Sequence, residues 1–281
     1  HTRHSEPPCT LSLWLACAAL PQVSYILSDM SWASGRRIVI GAVLAVVVLL
    51  IAGIVGFLVF SKAPSCTDNR QNGGETGIDC GGPCARACSA DTLAPVISFA
   101  RALRVSDSRT DLIATIGNPN RTFAAKNVPF TASFHDANGE EIGVKKGTVD
   151  IPPDSSVAVY IPNAYSGNRE ATQTFFSFDA TPEWYRLDTP LNELVIGDSR
   201  FSGADEAPRV VTSVKNPSVT TIPQTRLVVT VFDASGNAIA ASQTVVPPLQ
   251  AEEAAEATFT WNAPFSAPGV TIKVVPIITL P

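Results

Sequence analysis

Four cysteines within 23 residues, Cys66, Cys80, Cys84 and Cys88, are the densest chemistry-bearing cluster in the chain. Five glycines lie between Gly73 and Gly82, so this stretch has too little apolar mass for a core of its own and needs covalent or metal staples. Two disulfides are the first reading, with three pairings open; a four-thiolate zinc site is the alternative. A thioredoxin-like redox pair is disfavoured, because three residues rather than two separate Cys84 from Cys88. Interleaved with the cysteines, Asp68, Asn72, Glu75 and Asp79 supply oxygen ligands of the kind Ca²⁺ takes, although the spacing is not that of an EF-hand loop. Asx residues and glycines at this density also build turns without any ion.

Other chemistry is sparse. His135 is the only histidine after the cysteines, and no Gly-x-Ser-x-Gly, His-Glu-x-x-His or phosphate-binding glycine loop occurs. Glu140/Glu141 and Glu252/Glu253 are adjacent acids whose side chains diverge on an extended chain, which does not suit paired-carboxylate catalysis. Asp107/Arg109 and Asp198/Arg200 are each two apart and share a strand face, as structural ion pairs would. Trp184, Tyr185, Trp261, Phe175 and Phe176 lie near the ends of two repeated segments, where packing is the first expectation and an interaction surface the second. Asn120-Arg-Thr122 is a glycosylation sequon, relevant only in a glycosylating host. No catalytic residue and no cofactor other than calcium is indicated.

The elements around the cysteines say where they work. Ile38 to Phe60 is a run of 23 residues without a charge, about 35 Å as a helix, against a hydrocarbon core of roughly 30 Å. Arg36 and Arg37 precede it and Lys62 follows, so the positive-inside rule leaves the N-terminal side cytoplasmic and exports the rest as an uncleaved signal-anchor. Disulfides persist in the oxidising space on that far side. The sole methionine is Met30, which reads as the translation start. Residues 1–29 are then a doubtful extension, with Cys9 and Cys17 outside the disulfide arithmetic, and residues 30–37 are a cytoplasmic tail. Residues 38–60 form the transmembrane helix and residues 65–88 the cysteine-rich module.

After Cys88 the pattern turns to short alternating runs separated by Pro, Gly, Asn and Asp. Val128, Phe130, Ala132 and Phe134 form one apolar strand face, and the turn Asp136-Ala-Asn-Gly139 reverses the chain. About 97 residues further on the same landmarks return in order. Asn118-Pro119 recurs as Asn216-Pro217, the Asp136 turn as Asp233-Ala-Ser-Gly236, and Ile151-Pro-Pro as Val246-Pro-Pro. Val105-Ser-Asp-Ser-Arg109 recurs as Ile196-Gly-Asp-Ser-Arg200. A tandem duplication follows, with β-sandwich 1 over 92–188 and β-sandwich 2 over 190–281, each of about seven strands and immunoglobulin-like. Neither copy holds a cysteine, so apolar packing must hold each. In the second copy Thr225, Leu227, Val229 and Val231 should face inward, and Thr230, like Thr131 in the first, should face outward or lie at an edge.

From Ser89 onward 14 Lys plus Arg stand against 20 Asp plus Glu, a net charge of −6 without a basic run, which disfavours nucleic acid as a partner. The expected partners are the lipid bilayer, through residues 38–60, and an envelope or extracellular protein.

Two resemblances add to this reading. Cys66, Asp68, Asn72, Gly73, Glu75, Thr76, Asp79, Cys80, Gly81, Gly82 and Cys84 resemble a short cysteine-rich module that recurs in exported bacterial surface proteins, which implies location rather than activity. Val229-Thr-Val-Phe-Asp233, followed by Ala-Ser-Gly, resembles the signature of FxLyD-like envelope β-sandwich domains. The first copy matches through Ala132, Phe134, His135 and Asp136. That family's extracytoplasmic, often membrane-tethered proteins are without known catalysis, which implies a binding or structural role. The fold class expected is an all-β ectodomain of two tandem sandwiches, preceded by one transmembrane helix and a disulfide-rich module. The function expected is surface display for protein or matrix contact, with an accessory subunit of a secretion, pilus or transport complex as alternative and an envelope hydrolase as a remoter one.

Overall fold

A computed structural model describes residues 32–60, 63–188, 191, 194–204, 206–265, 268 and 271–280. Met30, Lys62, Cys9 and Cys17 lie outside the described residues. The chain divides into two compact units, His1–Pro64 and Ser65–Pro281.

In the first unit α1 spans Trp32–Phe60, beginning six residues before the expected span. Its apolar side chains are exposed all round, from Ile38 through Leu49 to Phe60, where the helix of a soluble core would bury them. It is the one helix among the described residues long and apolar enough to cross a membrane.

The second unit is all-β apart from a short 3₁₀ turn, Ser89–Asp91. Its first half contains β1 (Val96–Ser106), β2 (Arg109–Gly117), β3 (Phe123–His135), β4 (Glu141–Ile151), β5 (Ser156–Tyr165), β6 (Gln173–Phe178) and β7 (Trp184–Arg186). The second half contains β8 (Val195–Ser202), β9 (Arg209–Lys215), β10 (Thr225–Phe232), β11 (Ala238–Val246), β12 (Ala254–Thr260) and β13 (Thr271–Ile277). One sheet of the first half runs β1-β2-β5 and the other β4-β3-β6, with β7 on the near end of β3. The second half repeats this order strand for strand, as β8-β9-β12 and β11-β10-β13. Each half has its own core between its sheets. Phe130, Ile116, Ile151 and Trp184 belong to the first, and Leu227, Val229, Val231 and Phe259 to the second.

The sequence landmarks that recur do the same physical work in both halves. Asn118 Nδ2 donates to the carbonyls of Phe123 (2.8 Å) and Pro152 (2.7 Å), tying the β2–β3 loop to the Pro-Pro corner. Asn216 Nδ2 donates to Thr220, Leu249 and Gln250 carbonyls and makes the same tie. Asp136 Oδ1 accepts from the amides of Asn138 and Glu140, and Asp233 Oδ1 from those of Ser235 and Asn237. Both turns close on a glycine at positive φ, Gly139 at 77° and Gly236 at 79°, where a side chain would be strained.

The two halves also share a face. Leu103, Ile113 and Ala158 on the outside of β1-β2-β5 pack against Val228, Ala238 and Ala241 on the outside of β11-β10-β13. The central strands β2 and β10 are therefore buried on both faces, and Thr230, expected outward and free, is only 4% exposed. The expectation for Thr230 is corrected by this docking: alternation assigned its direction properly, but the other half covers the direction it points. Thr131 has no such cover and is half-buried, its hydroxyl donating to Asp179.

Candidate functional site

The cysteine module is stapled by Cys66–Cys84 and Cys80–Cys88, which use all four sulfurs and leave none for zinc. It is fastened to the first half. Arg86 bridges to Tyr185, the Ala87 amide donates to the Trp184 carbonyl (2.9 Å), and Arg186 donates to the carbonyls of Ala85 and Gly82. The expected calcium ligands share a hydrogen-bond network without converging on one point: among the described residues the acid that lies with other metal-capable atoms within 4.8 Å is Glu75, beside the disulfide sulfurs of Cys66 and Cys84. Glu75, 9% exposed, accepts from the amides of Asn72 and Asp79. Both Asp79 oxygens accept from the Asn69 amide. Asp68 accepts from the Arg70 amide and from Asn72 Nδ2 (2.8 Å), and the Asn72 bond holds its carboxyl below the usual range. Within the module Asn72 Oδ1 is buried without a partner among the described residues, as is the Tyr185 hydroxyl in the first half. Carboxylates turned onto backbone N–H groups are what a glycine-rich loop needs to hold its shape without a core.

His135 is likewise engaged. Its ring nitrogens lie 3.1 Å from Ser133 Oγ and 3.2 Å from the Gly139 carbonyl, and its ring meets Phe175 edge to face. Beside it Arg169 bridges Asp136 and Glu140, and this guanidinium holds both carboxyls below their ordinary values. The sequon residue Asn120 is 6% exposed, with its amide bonded to the Leu93 carbonyl and to Asn118.

A concave site lies elsewhere, where the halves meet. A cleft of about 350 Å³ is walled on one side by Arg104, Arg109 and Tyr160 and on the other by Trp261, Pro264 and Phe265. At its base Asp111, 2% exposed, sits on the outer face of β2. It takes Arg109 in a two-pronged pair, Nε to Oδ1 at 2.9 Å and Nη2 to Oδ2 at 3.0 Å. The Tyr160 hydroxyl donates to Oδ2 (2.5 Å) and the Asn163 amide to Oδ1 (2.8 Å). Four donors thus satisfy the buried carboxyl. The Asp111 bond raises the Arg109 pKa, while burial first and Asp111 second raise that of the Tyr160 phenol.

The pairing differs from the sequence expectation. Arg109 pairs with Asp111 rather than Asp107, Asp107 pairs with Arg104, and Arg200 pairs with Glu256. Adjacent positions 107 and 109 fall across the β1–β2 turn, whereas 109 and 111 lie on one strand. On the facing wall the Trp261 indole N–H donates to the Ala241 carbonyl (3.1 Å) and the ring meets Phe265 edge to face at 5.0 Å. Of the other aromatics, Trp184 is buried in the first core and Phe176 stacks on Phe130, whereas Phe175 is exposed. Sequence reasoning singled out Trp261 and Arg109 separately; nothing in it placed them across one cleft, because Tyr160 reaches Arg109 only through the long-range pairing of β5 with β2, and Trp261 only through docking of the second half.

No family model matches this chain, and no curated protein matches it. Solved structures give distant likenesses. A red sea bream transglutaminase has a TM-score of 0.23 at 14% identity, over 68% of this chain and 32% of that one. A Bacteroides uniformis β-glucuronidase has a TM-score of 0.20 at 14% identity, over 57% of this chain and 22% of that one. A putative β-galactosidase from Bacteroides fragilis has a TM-score of 0.18 at 11% identity, over 61% and 32%. This chain spans about a third or less of the length of each.

Proposed function

We propose that this is a single-pass membrane protein whose α1 anchors it, with the Arg36/Arg37 end cytoplasmic and the unit from Ser65 onward on the extracytoplasmic face. The observation that carries the reading is one of order: an apolar helix with exposed sides is followed at once by a module held by two disulfides. The β unit is then a display and binding device, without catalysis, for contact with an envelope or extracellular protein. Its two halves are tandem immunoglobulin-like copies from one duplication. The repeated strand order and the matched roles of Asn118/Asn216 and Asp136/Asp233 support that descent.

The engagement of Asp111 by four donors gives that buried carboxylate a structural part, which supports the reading of the unit as a binding scaffold. For the module we take the structural role, on the strength of its amide-bonded carboxylates, rather than the calcium role. Extraction in mild detergent followed by purification through a C-terminal tag tests the display reading. A chain recovered alone, or with one soluble partner, supports it. A fixed set of membrane subunits at equal stoichiometry would replace it with the accessory-subunit reading.

A further inference from the structure

We propose that the cleft between the two halves binds a carboxylate carried on an aromatic or branched apolar body, such as the end of a peptide or a small arylalkanoic acid. The proposal rests on reading the β unit as a binding device, and it names the ligand chemistry of one site on it.

Charge selects the anion. Arg104, Arg109 and Asp111 are the charged residues of the lining and sum to +1, within a chain whose net charge is −5; Asp107, the ion-pair partner of Arg104, lies outside the lining with its side chain fully in solvent. Asp111 is saturated and buried, so it presents no free oxygen to a ligand. Arg109 spends Nε and Nη2 on Asp111, leaving Nη1 without a partner among the described residues on a side chain 45% exposed. That guanidinium is already fixed in orientation, so little further freedom is lost when it takes an anion. Arg104 stands beside it, held by the Asp107 carbonyl at 3.2 Å and paired with the exposed Asp107 carboxylate at 3.5 Å.

The facing wall selects the body. The one polar atom of the Trp261 indole is spent on the Ala241 carbonyl, and the ring is held by Phe265, which stacks on Phe201 with centroids 5.6 Å apart. What remains toward the cleft is flat apolar surface, rigid on both sides. A cavity of about 350 Å³ takes one aromatic side chain with its flanking backbone. A guanidinium edge on one wall and an aromatic face on the other define a bipolar ligand with one negative charge.

The test uses the full chain in detergent micelles, with the fluorescence of Trp261 as readout and calorimetry beside it. The probes are N-acetyl-L-phenylalanine, its neutral amide, and a tetraglycyl-phenylalanine peptide with a free C-terminus. The free acid should saturate the signal and the amide should bind about tenfold more weakly or worse, the loss of one charge-assisted contact. Arg104→Gln, which leaves the buried pair intact, should weaken the acid several-fold at unchanged melting temperature, and Trp261→Phe should remove the optical signal. Tighter binding of the peptide assigns the site to a protein end, and equal binding to a small acid. Equal affinity for acid and amide, or no saturation by about 10 mM acid, overturns the proposal. If the acid fails while a partner still co-purifies with the chain, the cleft assignment falls and the display reading stands.

Discussion

Substitution of Val228 by aspartate should uncouple the two halves of the β unit without destroying either. Val228 is 2% exposed and belongs to the face shared with Leu103, Ile113 and Ala158, not to the core between the sheets of its own half. Removing a buried valine forfeits about 1.5–3 kcal/mol of burial. An unpaired carboxyl in its place adds a further ~2–4 kcal/mol, or the cost of protonating it. The sum, about 3.5–7 kcal/mol, falls on the docking rather than on the neighbouring Leu227, Val229 and Val231, which point the opposite way. The native segment 65–281 should therefore melt in scanning calorimetry as one transition, with calorimetric and van't Hoff enthalpies equal. Val228→Asp should split that transition in two, the lower component displaced by roughly 10–20 °C. Leu227→Asp, in the core of the second half, should instead abolish that half's component. Two independent transitions in the native protein, or an unchanged profile in Val228→Asp, would show that the shared face does not couple the halves.

Asn216→Ala should cost about 2–4 kcal/mol in urea unfolding, because it strips donors from three carbonyls at a fully buried position, while Asn237→Ala on the exposed turn should cost under about 1 kcal/mol. Partial reduction, alkylation and mass spectrometry should return Cys66–Cys84 and Cys80–Cys88, and a Cys66–Cys80 species in the native protein would contradict the fold of the module. Arg169 depresses the folded-state pKa of Asp136 and Glu140 from ordinary values of 3.8 and 4.5, so its contribution is full above those values and fades as pH falls below them. The melting difference between native protein and Arg169→Gln should accordingly be largest near neutrality and close toward about pH 2; a difference that grows with acid would reverse the assignment.

How much of this was legible in the sequence depends on the range of the interaction. The helix and the Asp136 and Asp233 turns rest on contacts a few residues long, and spacing alone reveals them, whereas the cysteine spacing revealed a stapled module but left open which of three pairings holds it. The register of β3 was legible too, since Val128, Phe130, Ala132 and Phe134 are all buried as their alternation predicts. Thr230 was not, because period two identifies which residues share a face and says nothing of what covers the second face. Its threonine also carries no apolar signal, although the docked half buries it. The cleft was least legible. Arg109 and Asp111 are neighbours on one strand, yet Tyr160 arrives from 49 residues away and Trp261 from the other half of the unit. No local pattern encodes that meeting; it follows from how two outer sheet faces pack.

The most direct test of the account is the fate of the β unit when intact cells meet a protease that cannot cross the membrane. Cleavage of the segment after α1, with an epitope before Arg36 protected until the cells are lysed, is the result predicted. Protection of Ser65–Pro281 in intact cells, with digestion only after lysis, would place the disulfide module and both halves on the wrong side and contradict the account at its root.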